Sequence, residues 1–299
     1  MTTTPSSPAQ QAREALGARL RELRREAGLT GRALAERIGC HHTKVSRIEH
    51  GSQAPSEANI RAWCRVCDAD DQTADLLATA RGVESMYVEW RRRARSGMTH
   101  LMLAAVPLYE NTTLFRIYEH SAIPGPFQTT AYSAAVLEYF IDFLQLPNDV
   151  ESAVAARMQR QQILYSGDRR LVAVIEEQAL RHQVGSPHVM AEQLDRLLAV
   201  MSLPRISLGV IPLDAEHRPL TTVGFWIYDT ARVGVETPTA KLDITQPSEV
   251  RLYCKQFEQL QQTAVYGPAA RALITDAMPP SPGPNGWLGD QDPGLTRRG

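Results

Sequence analysis

A short segment near the N terminus, HTKVSRIEH at residues 42–50, carries side chains that can recognise nucleic-acid bases. Val45 and Ile48 lie three residues apart, which predicts an inward-facing helical stripe. The outward positions are polar: His42, Thr43, Lys44 and Arg47. Lys44 and Arg47 are long enough to hydrogen-bond guanine O6 and N7, while the threonine and the imidazole can contact a thymine methyl, a base edge or a phosphate. Such a face needs a scaffold that presents it to a duplex.

The flanking sequence predicts that scaffold, a compact unit of five short helices. Helix one covers residues 12–27. Thr30 is placed to cap a second helix, GRALAERI, which ends at Gly39. The third helix carries the polar face, and two further helices follow it. The short second helix, the glycine-containing turn and the third helix have the arrangement that brings a recognition helix to the major groove.

A local excess of positive charge lies in the same region. The 32 basic and 33 acidic side chains leave a net charge of −1, so the whole molecule has no bulk attraction for nucleic acid. Residues 1–65 nevertheless hold 11 basic and 6 acidic side chains, against 21 and 27 in the remainder. This partition favours a small basic unit, able to neutralise phosphates, attached to a larger acidic body.

Residues 29–51 resemble the helix-turn-helix of the Cro and phage-repressor (XRE-like) regulators. The matching positions are Thr30, Leu34, Ala35, Ile38, Gly39, Val45, Ser46, Ile48, Glu49 and Gly51. The resemblance implies that the outward side chains of helix three face double-stranded DNA. The expected DNA-binding residues are His42, Thr43, Lys44, Arg47, Thr30, Arg32 and Ser46, with Arg32 and Lys44 as candidates for phosphate contacts.

Two positions depart from that pattern. Gly31 stands where many relatives have Gln, which removes one expected phosphate contact. His41 replaces the usual Ser or Thr cap of helix three, and we expect this to cost about 1 kcal/mol of stability relative to Ser.

The larger part of the chain predicts a mixed α/β domain. The apolar segments LVAVI, ISLGVIP, TVGFWIYD, RVGVE and KLDIT are predicted to be strands gathered between residues 171 and 246, and residues 84–110 are predicted to be helical. The predicted fold class is α+β. The predicted division is a disordered tail (1–10), a helix-turn-helix domain (11–82), a bridging helix region (83–110), an α/β regulatory and dimerisation domain (111–278) and a disordered tail (279–299).

Residues from Val83 to about Met278 resemble the large C-terminal domain of antitoxin-like helix-turn-helix regulators of actinobacteria. The matching residues include Tyr118, Glu119, Ile123, Pro124, Gly125, Gln128, Thr129, Arg157, Arg160, Gln161, Glu177, Gly185, Gly224 and Glu236. The resemblance implies a DNA-bound homodimer, often encoded beside a small acidic partner protein that modulates it.

The sequence predicts no enzyme activity, no cofactor and no metal site. It contains no G-x-S-x-G, phosphate-loop or H-E-x-x-H motif. Cys64 and Cys67 have metal-like spacing but are predicted to be buried helical cysteines, because a metal site needs two more aimed ligands. Glu176 and Glu177 follow a strand, but adjacent side chains point apart and a helix N terminus favours carboxylates.

Three sets of residues each allow two interpretations. Tyr118, Phe127, Tyr132, Tyr139 and Phe140 either line a ligand pocket or pack in a core and dimer interface, and packing is favoured. Alternating faces of the strand at residues 225–228 either pack or bind a partner. The basic run at residues 91–95 either meets DNA or forms a solvated face.

The sequence predicts a soluble, cytoplasmic protein, since its four cysteines form no disulfide framework and it has neither a secretory signal nor a membrane-spanning run. The main hypothesis is a dimeric, sequence-specific transcription regulator whose second domain also binds a small partner protein or a small-molecule effector, with no membrane association. The alternative is an antitoxin-like interaction module whose main role is to sequester a small partner protein.

Overall fold

The computed structural model describes residues 8–82, 87–89, 96–165, 167–216, 219–221, 223–237 and 240–280. The arrangement is α+β, as predicted: a helical N-terminal unit is followed by a mixed sheet with helices on both faces. The helices are α1 (Pro8–Glu26), α2 (Gly31–Arg37), α3 (His42–Glu49), α4 (Glu57–Val66), α5 (Thr73–Gly82), α6 (Met98–Ala104), α7 (Val106–Glu110), α8 (Thr130–Leu144), α9 (Val150–Arg160), α10 (Glu177–Arg181), α11 (Pro187–Val200), α12 (Pro247–Thr263) and α13 (Gly267–Asp276). The strands are β1 (Tyr87–Glu89), β2 (Leu114–Glu119), β3 (Arg170–Glu176), β4 (Ile206–Ile211), β5 (Phe225–Tyr228), β6 (Arg232–Glu236) and β7 (Ala240–Ile244).

Helices α1 to α5 form a separate core, which we call the head. Leu20, Ile48 and Trp63 are fully buried there, and Trp63 Nε1 donates a hydrogen bond to the Leu20 carbonyl (2.9 Å). The five helices predicted from periodicity are all present. The fifth begins at Thr73, because a 3-10 turn precedes it.

The remaining described residues form the body, built on a sheet with the order β1-β7-β6-β5-β2-β3-β4. Strands β2, β3 and β4 are parallel, and the other pairs are antiparallel. The prediction that strands are confined to residues 171–246 is wrong for β2. This strand lies between β3 and β5, where both of its edges are hydrogen-bonded and Phe115 and Ile117 are buried.

The predicted helix over residues 84–110 is only partly correct. Tyr87–Glu89 forms a strand that pairs with β7, where it covers an edge that would otherwise leave backbone groups unpaired. Helices α6 and α7 account for most of residues 98–110, with Pro107 in the first turn of α7. The basic run at 91–95 lies outside the described residues.

The two faces of the sheet have separate cores. One face packs against α7, α8, α11 and α13, and the other packs against α12. Strand β5 alternates as predicted: Phe225 and Ile227 join the α12 side, while Trp226 and Tyr228 join the opposite side. Both faces of β5 thus pack inside the chain, as the packing interpretation predicts.

Two aspartates tie helices to their neighbours. Asp75 on α5 accepts a hydrogen bond from the Ser248 backbone N–H (3.0 Å) in the first turn of α12, which joins the head to the body. Asp149 accepts hydrogen bonds from the backbone N–H groups of Met98 (3.0 Å) and Thr99 (2.8 Å), which begin α6. Burial alone would raise the pKa of Asp149, but these bonds outweigh it and lower the pKa below its usual value. Among the described residues, no helix combines the length and the hydrophobicity needed to cross a bilayer.

Candidate nucleic-acid interface

Helices α2 and α3 begin at side-chain caps. Thr30 Oγ1 accepts a hydrogen bond from the Ala33 N–H (3.1 Å), as predicted for the cap of α2. His41 caps α3: its Nδ1 accepts from the Thr43 N–H at 3.4 Å and lies 2.6 Å from Thr43 Oγ1. The imidazole therefore caps the helix in place of the usual Ser or Thr, although its hydrogen bond from the Thr43 N–H is long.

Helix α1 holds the C-terminal end of α3. Arg24 binds both carboxylate oxygens of Glu49, with Nε–Oε1 at 2.6 Å and Nη2–Oε2 at 2.9 Å, and it donates a third hydrogen bond to the Leu29 carbonyl (2.7 Å). Glu49 is buried, and its hydrogen bond raises the pKa of Arg24. One guanidinium thus fixes the end of α3 and the start of the α2 segment at the same time.

Two glycines allow α1 to approach α3 this closely. A Cβ on Gly17 would meet the carbonyl oxygens of Ile48 and Glu49, the latter at 2.9 Å. Gly51 has φ +68°, and a Cβ there would lie 2.8 Å from the Glu14 Cα. The close packing leaves the opposite side of α3 facing away from the rest of the head.

That opposite side carries the residues predicted to bind DNA. His42, Thr43, Ser46 and Arg47 are exposed, and at about 100° per residue they span an arc of about 140° on α3. Val45 and Ile48 are buried as predicted, and Lys44 lies half-buried at the side of the arc. Thr30 and Arg32 are exposed at the start of α2.

The start of α2 lies beside α3, so the predicted residues of both helices belong to one region of the head surface. A Cβ built on Gly31 would lie 3.8 Å from Val45 Cγ1, which shows how near the two elements are and that a side chain would fit here. Sequence reasoning did not single out Arg24 as a positioning residue. The signal available was Glu49, a carboxylate adjacent to the buried Ile48, which needs a cationic partner.

Two family models match the chain. One, described as a helix-turn-helix domain, matches residues 15–77, which include the caps of α2 and α3, the Arg24–Glu49 pair and the exposed polar side of α3, which we call the polar arc. The other, described as a domain of unknown function (DUF5753), matches residues 108–276, more than half of the chain. The chain belongs to the DUF5753 family. The helix-turn-helix match supports a DNA-binding regulator, whereas the description of the DUF5753 domain assigns it no function.

Other comparisons add little. No curated protein matches the chain. Among solved structures, the chain is similar to one described as TrmBL2, an archaeal chromatin protein with a novel mode of DNA binding, at 11% identity over 80% of this chain and 88% of that chain. The TM-score of 0.31 is too low to indicate a shared fold.

The C-x-x-C pair in the head is buried, as predicted. Cys64 lies inside α4 and Cys67 directly follows it. Burial raises the pKa of both thiols, that of Cys67 to about 11, so both are neutral thiols at physiological pH. Within the described ranges, no three His, Cys, Asp or Glu side chains are grouped as a metal would need.

The aromatic residues of the DUF5753 domain divide into two sets. Tyr118, Phe127 and Tyr132 are buried in the body, as the packing interpretation predicts. Tyr139 and Phe140 are not: they lie exposed on α8 with Phe143, and the rings of Tyr139 and Phe143 stack with centroids 6.0 Å apart. We call these three residues the α8 aromatic patch.

Glu176 and Glu177 turn toward different neighbours, as predicted from their adjacency. Tyr118 donates a hydrogen bond to Glu176 Oε1 (2.9 Å). Glu177 pairs with Arg181 (2.6 Å) and accepts from the Leu213 N–H (3.0 Å). Burial alone would raise the pKa of Glu177, but these bonds lower it, so this carboxylate is a structural anion.

A further carboxyl group, Glu119 at the end of β2, is held differently. Its Oε1 accepts a hydrogen bond from Trp226 Nε1 (2.7 Å). Burial raises the pKa of Glu119 to about 7, the tryptophan bond opposes the shift, and the charge of Glu236 adds to it. Glu119 therefore titrates near neutral pH.

An open groove of about 340 Å³ runs along α12 in the DUF5753 domain. Its lining combines apolar and polar side chains: Leu220, Val223, Phe225, Leu252, Tyr253, Lys255 and Gln256, with Thr221 and Gln259. Leu220 is 96% exposed and Leu252 is 66% exposed, so the groove presents two apolar side chains to solvent. We call this feature the α12 groove.

Proposed function

We propose that the protein is a sequence-specific, DNA-binding transcription regulator that acts as a homodimer. The observation that carries this proposal is the polar arc of α3, which is exposed while Val45 and Ile48 are buried on the other side and Arg24 holds the C-terminal end of the helix through Glu49. A rigid helix with one free polar side is what readout in the major groove requires. In this proposal, residues 11–82 read DNA, residues 83–110 form the bridge, and residues 111–278 regulate and dimerise.

The roles of the head residues follow from their chemistry and position. Lys44 and Arg47 bond guanine O6 and N7, Thr43 contacts a thymine methyl or a base edge, and His42 bonds a base or phosphate. The cluster is completed by Ser46 on α3 and by Thr30 and Arg32 at the start of α2, of which Arg32 neutralises a phosphate.

Substitution of Arg47 tests the groove assignment. We expect Arg47→Ala to weaken binding to the chain's own upstream DNA by about 1–3 kcal/mol, or about 5- to 150-fold, while the far-ultraviolet circular dichroism stays unchanged. Arg65→Ala is the matched control, since Arg65 is an exposed arginine of the head on α4. Full affinity of an Arg47→Ala, Lys44→Ala double variant in a gel-shift titration would overturn the assignment.

A dimer is proposed because one head of this size makes few base contacts, whereas two heads can occupy half-sites about 34 Å apart. The α8 aromatic patch supports this assignment, since exposed aromatic residues are enriched at the centres of interfaces. We expect a Tyr139→Ser, Phe143→Ser variant to raise the dimer Kd by about tenfold or more in analytical ultracentrifugation. Leu213→Ser, at another exposed apolar position, should leave the dimer Kd unchanged.

The DUF5753 domain is further proposed to bind a small acidic partner protein or a small-molecule effector. The α12 groove favours the protein partner, since two exposed leucines lie beside Lys255, the one charged side chain among the described residues that line it. The second candidate function, an antitoxin-like module that mainly sequesters this partner, is supported by the same groove. Co-purification of a stoichiometric small protein without promoter occupancy in cells would favour that alternative, and occupancy that depends on Arg47 would favour the regulator.

A further inference from the structure

Two arginines of α9 lie on one side of the helix with few acceptors around them. Arg157 Nη1 donates to Gln128 Oε1 (2.7 Å), and Arg160 Nη1 donates to the Met102 carbonyl at 3.5 Å. Each guanidinium carries five N–H donors. The described residues thus accept two hydrogen bonds from this pair, and one of these is long.

The pair also lacks a direct counter-charge within the described part of the chain. Arg157 Nε is buried without a hydrogen-bond partner. Burial and, to a smaller extent, the positive charge of Arg160 together lower the pKa of Arg157 to about 10. Glu236 favours the charged form of Arg157 at longer range, but its carboxylate pairs with Lys241 (3.7 Å). Two neighbouring cations without a bonded anion are unfavourable, so the arrangement calls for a ligand that supplies one.

The surroundings of the two arginines are rigid. Arg160 lies over the ring of Tyr109, with its Cζ 4.5 Å from the ring centroid. The adjacent loop at residues 123–129 is fixed by three buried glutamines, whose amide groups donate to its carbonyls: Gln128 to Ile123 (2.7 Å), Gln161 to Gly125 (2.9 Å) and Gln128 (2.8 Å), and Gln193 to Phe127 (2.9 Å). A prearranged pair of guanidiniums loses little conformational entropy when it binds an anion.

We propose that Arg157 and Arg160 bind a small oxyanion, a carboxylate or phosphate group of a soluble effector. Both side chains are half-buried, so solvent reaches the pair while the protein shields it. The planar guanidinium fork matches carboxylate and phosphate oxygens, and the unpartnered donors of Arg157 and Arg160 gain acceptors on binding. This inference gives a chemical class to the effector of the proposed function, but it rests on the body alone.

The test is a calorimetric titration of the full chain with sodium sulfate, inorganic phosphate, citrate or acetate, each at constant ionic strength made up with chloride. We expect saturable binding of at least one anion, and the preferred one distinguishes a phosphate-like from a carboxylate ligand. Arg160→Gln should weaken that binding by at least about tenfold. Arg196→Gln is the matched control, because Arg196 lies over the ring of Tyr165 on the protein surface, 5.9 Å from its centroid. It should retain affinity within twofold.

Two further measurements keep the test decisive. If Arg160→Gln loses stability, Arg160→Lys replaces it in the test. Lysine preserves the charge but not the planar fork, so this variant should bind the anion more weakly than the original chain. In chloride, Arg160→Gln should keep its affinity for DNA, whereas Arg47→Ala should lose DNA affinity and keep anion binding. Absence of saturable binding by the unmodified chain, equal binding by Arg160→Gln, or loss of DNA affinity by Arg160→Gln in chloride would overturn the proposal.

Discussion

The clamp between Arg24 and Glu49 predicts a large stability change that is confined to the head. The side chains are 11% and 6% exposed, and two short charge-assisted hydrogen bonds join them. Replacing Arg24 by Met keeps the packing volume but leaves the carboxylate buried, which typically costs about 3–5 kcal/mol. Arg21, whose Nε lies 3.7 Å from Glu49 Oε2, can recover part of the loss. We therefore expect Arg24→Met to reduce the free energy of unfolding of the head by about 3 kcal/mol.

Hydrogen exchange on the full chain measures this change locally. Peptides from α1 and α3 should exchange about 100-fold faster in Arg24→Met, while peptides from β3 and β4 should be unaffected. The Arg24→Met, Glu49→Met double variant should recover most of the stability, since it buries no unpaired charge. Arg25→Met, at an exposed position on the same helix, should change little. If the single and double Arg24 variants exchange alike, the pair is not coupled and the clamp does not position α3.

Three other substitutions test separate parts of the structure. Gly17→Ala should push α1 away from the Ile48 and Glu49 carbonyls, so we expect both a lower melting temperature and weaker binding in a gel shift, and unchanged DNA binding would contradict the close approach. Asp149→Asn should lower stability by about 1 kcal/mol at neutral pH, since the carboxylate caps α6. Because folding lowers the pKa of Asp149, its carboxylate stabilises the fold above the pKa of the unfolded chain, and this stabilisation is lost as the pH falls through the pKa of the folded chain. In urea titrations, the difference in unfolding free energy between the variant and the original chain should therefore be present at pH 7 and shrink at pH 3. The stability contribution of Glu119 depends on pH in the opposite direction. Folding raises the pKa of Glu119 from 4.5 to about 7, so its protonated form stabilises the fold fully below pH 4.5, and this stabilisation is lost as the pH rises toward 7. Between pH 5 and pH 8, the free energy of unfolding of Glu119→Gln should therefore rise by up to about 3 kcal/mol relative to that of the original chain. If the unfolding free energies of the two chains depend on pH in the same way, the carboxyl group of Glu119 is not buried.

The head could be predicted in detail because its information is local. Helical spacing, the Thr30 cap and glycines after α2 and α3 specify the elements, and the inward positions Val45 and Ile48 determine which side of α3 remains free. The clamp was harder to predict, since Arg24 and Glu49 lie 25 residues apart and only the packing of α1 on α3 brings them together.

The body was predicted less completely because its organisation depends on distant pairings. Strand β2 follows two short helices and pairs with β5, more than 100 residues later, so its central place is not visible in the local pattern. The aromatic residues of α8 show the same limit: Tyr132 is buried and Tyr139 is exposed, although both are the same residue type on one helix. Their difference depends on which helices pack against α8: α9 and α11 cover other sides of it and leave Tyr139 exposed.

One helix connects the two halves of the proposed regulator. The first turn of α12 receives the Asp75 carboxylate from the head, and the groove begins at Leu252, four residues after Ser248 and about 6 Å along the helix axis. The same helix packs on β4, β5 and β6 through the buried residues Val250, Phe257 and Leu260, so it is anchored to the sheet along most of its length. A partner in the α12 groove would therefore act on the element that holds the head, without needing to contact DNA or α3. In the proposed regulator, DNA readout and partner binding would thus lie on separate elements that α12 connects.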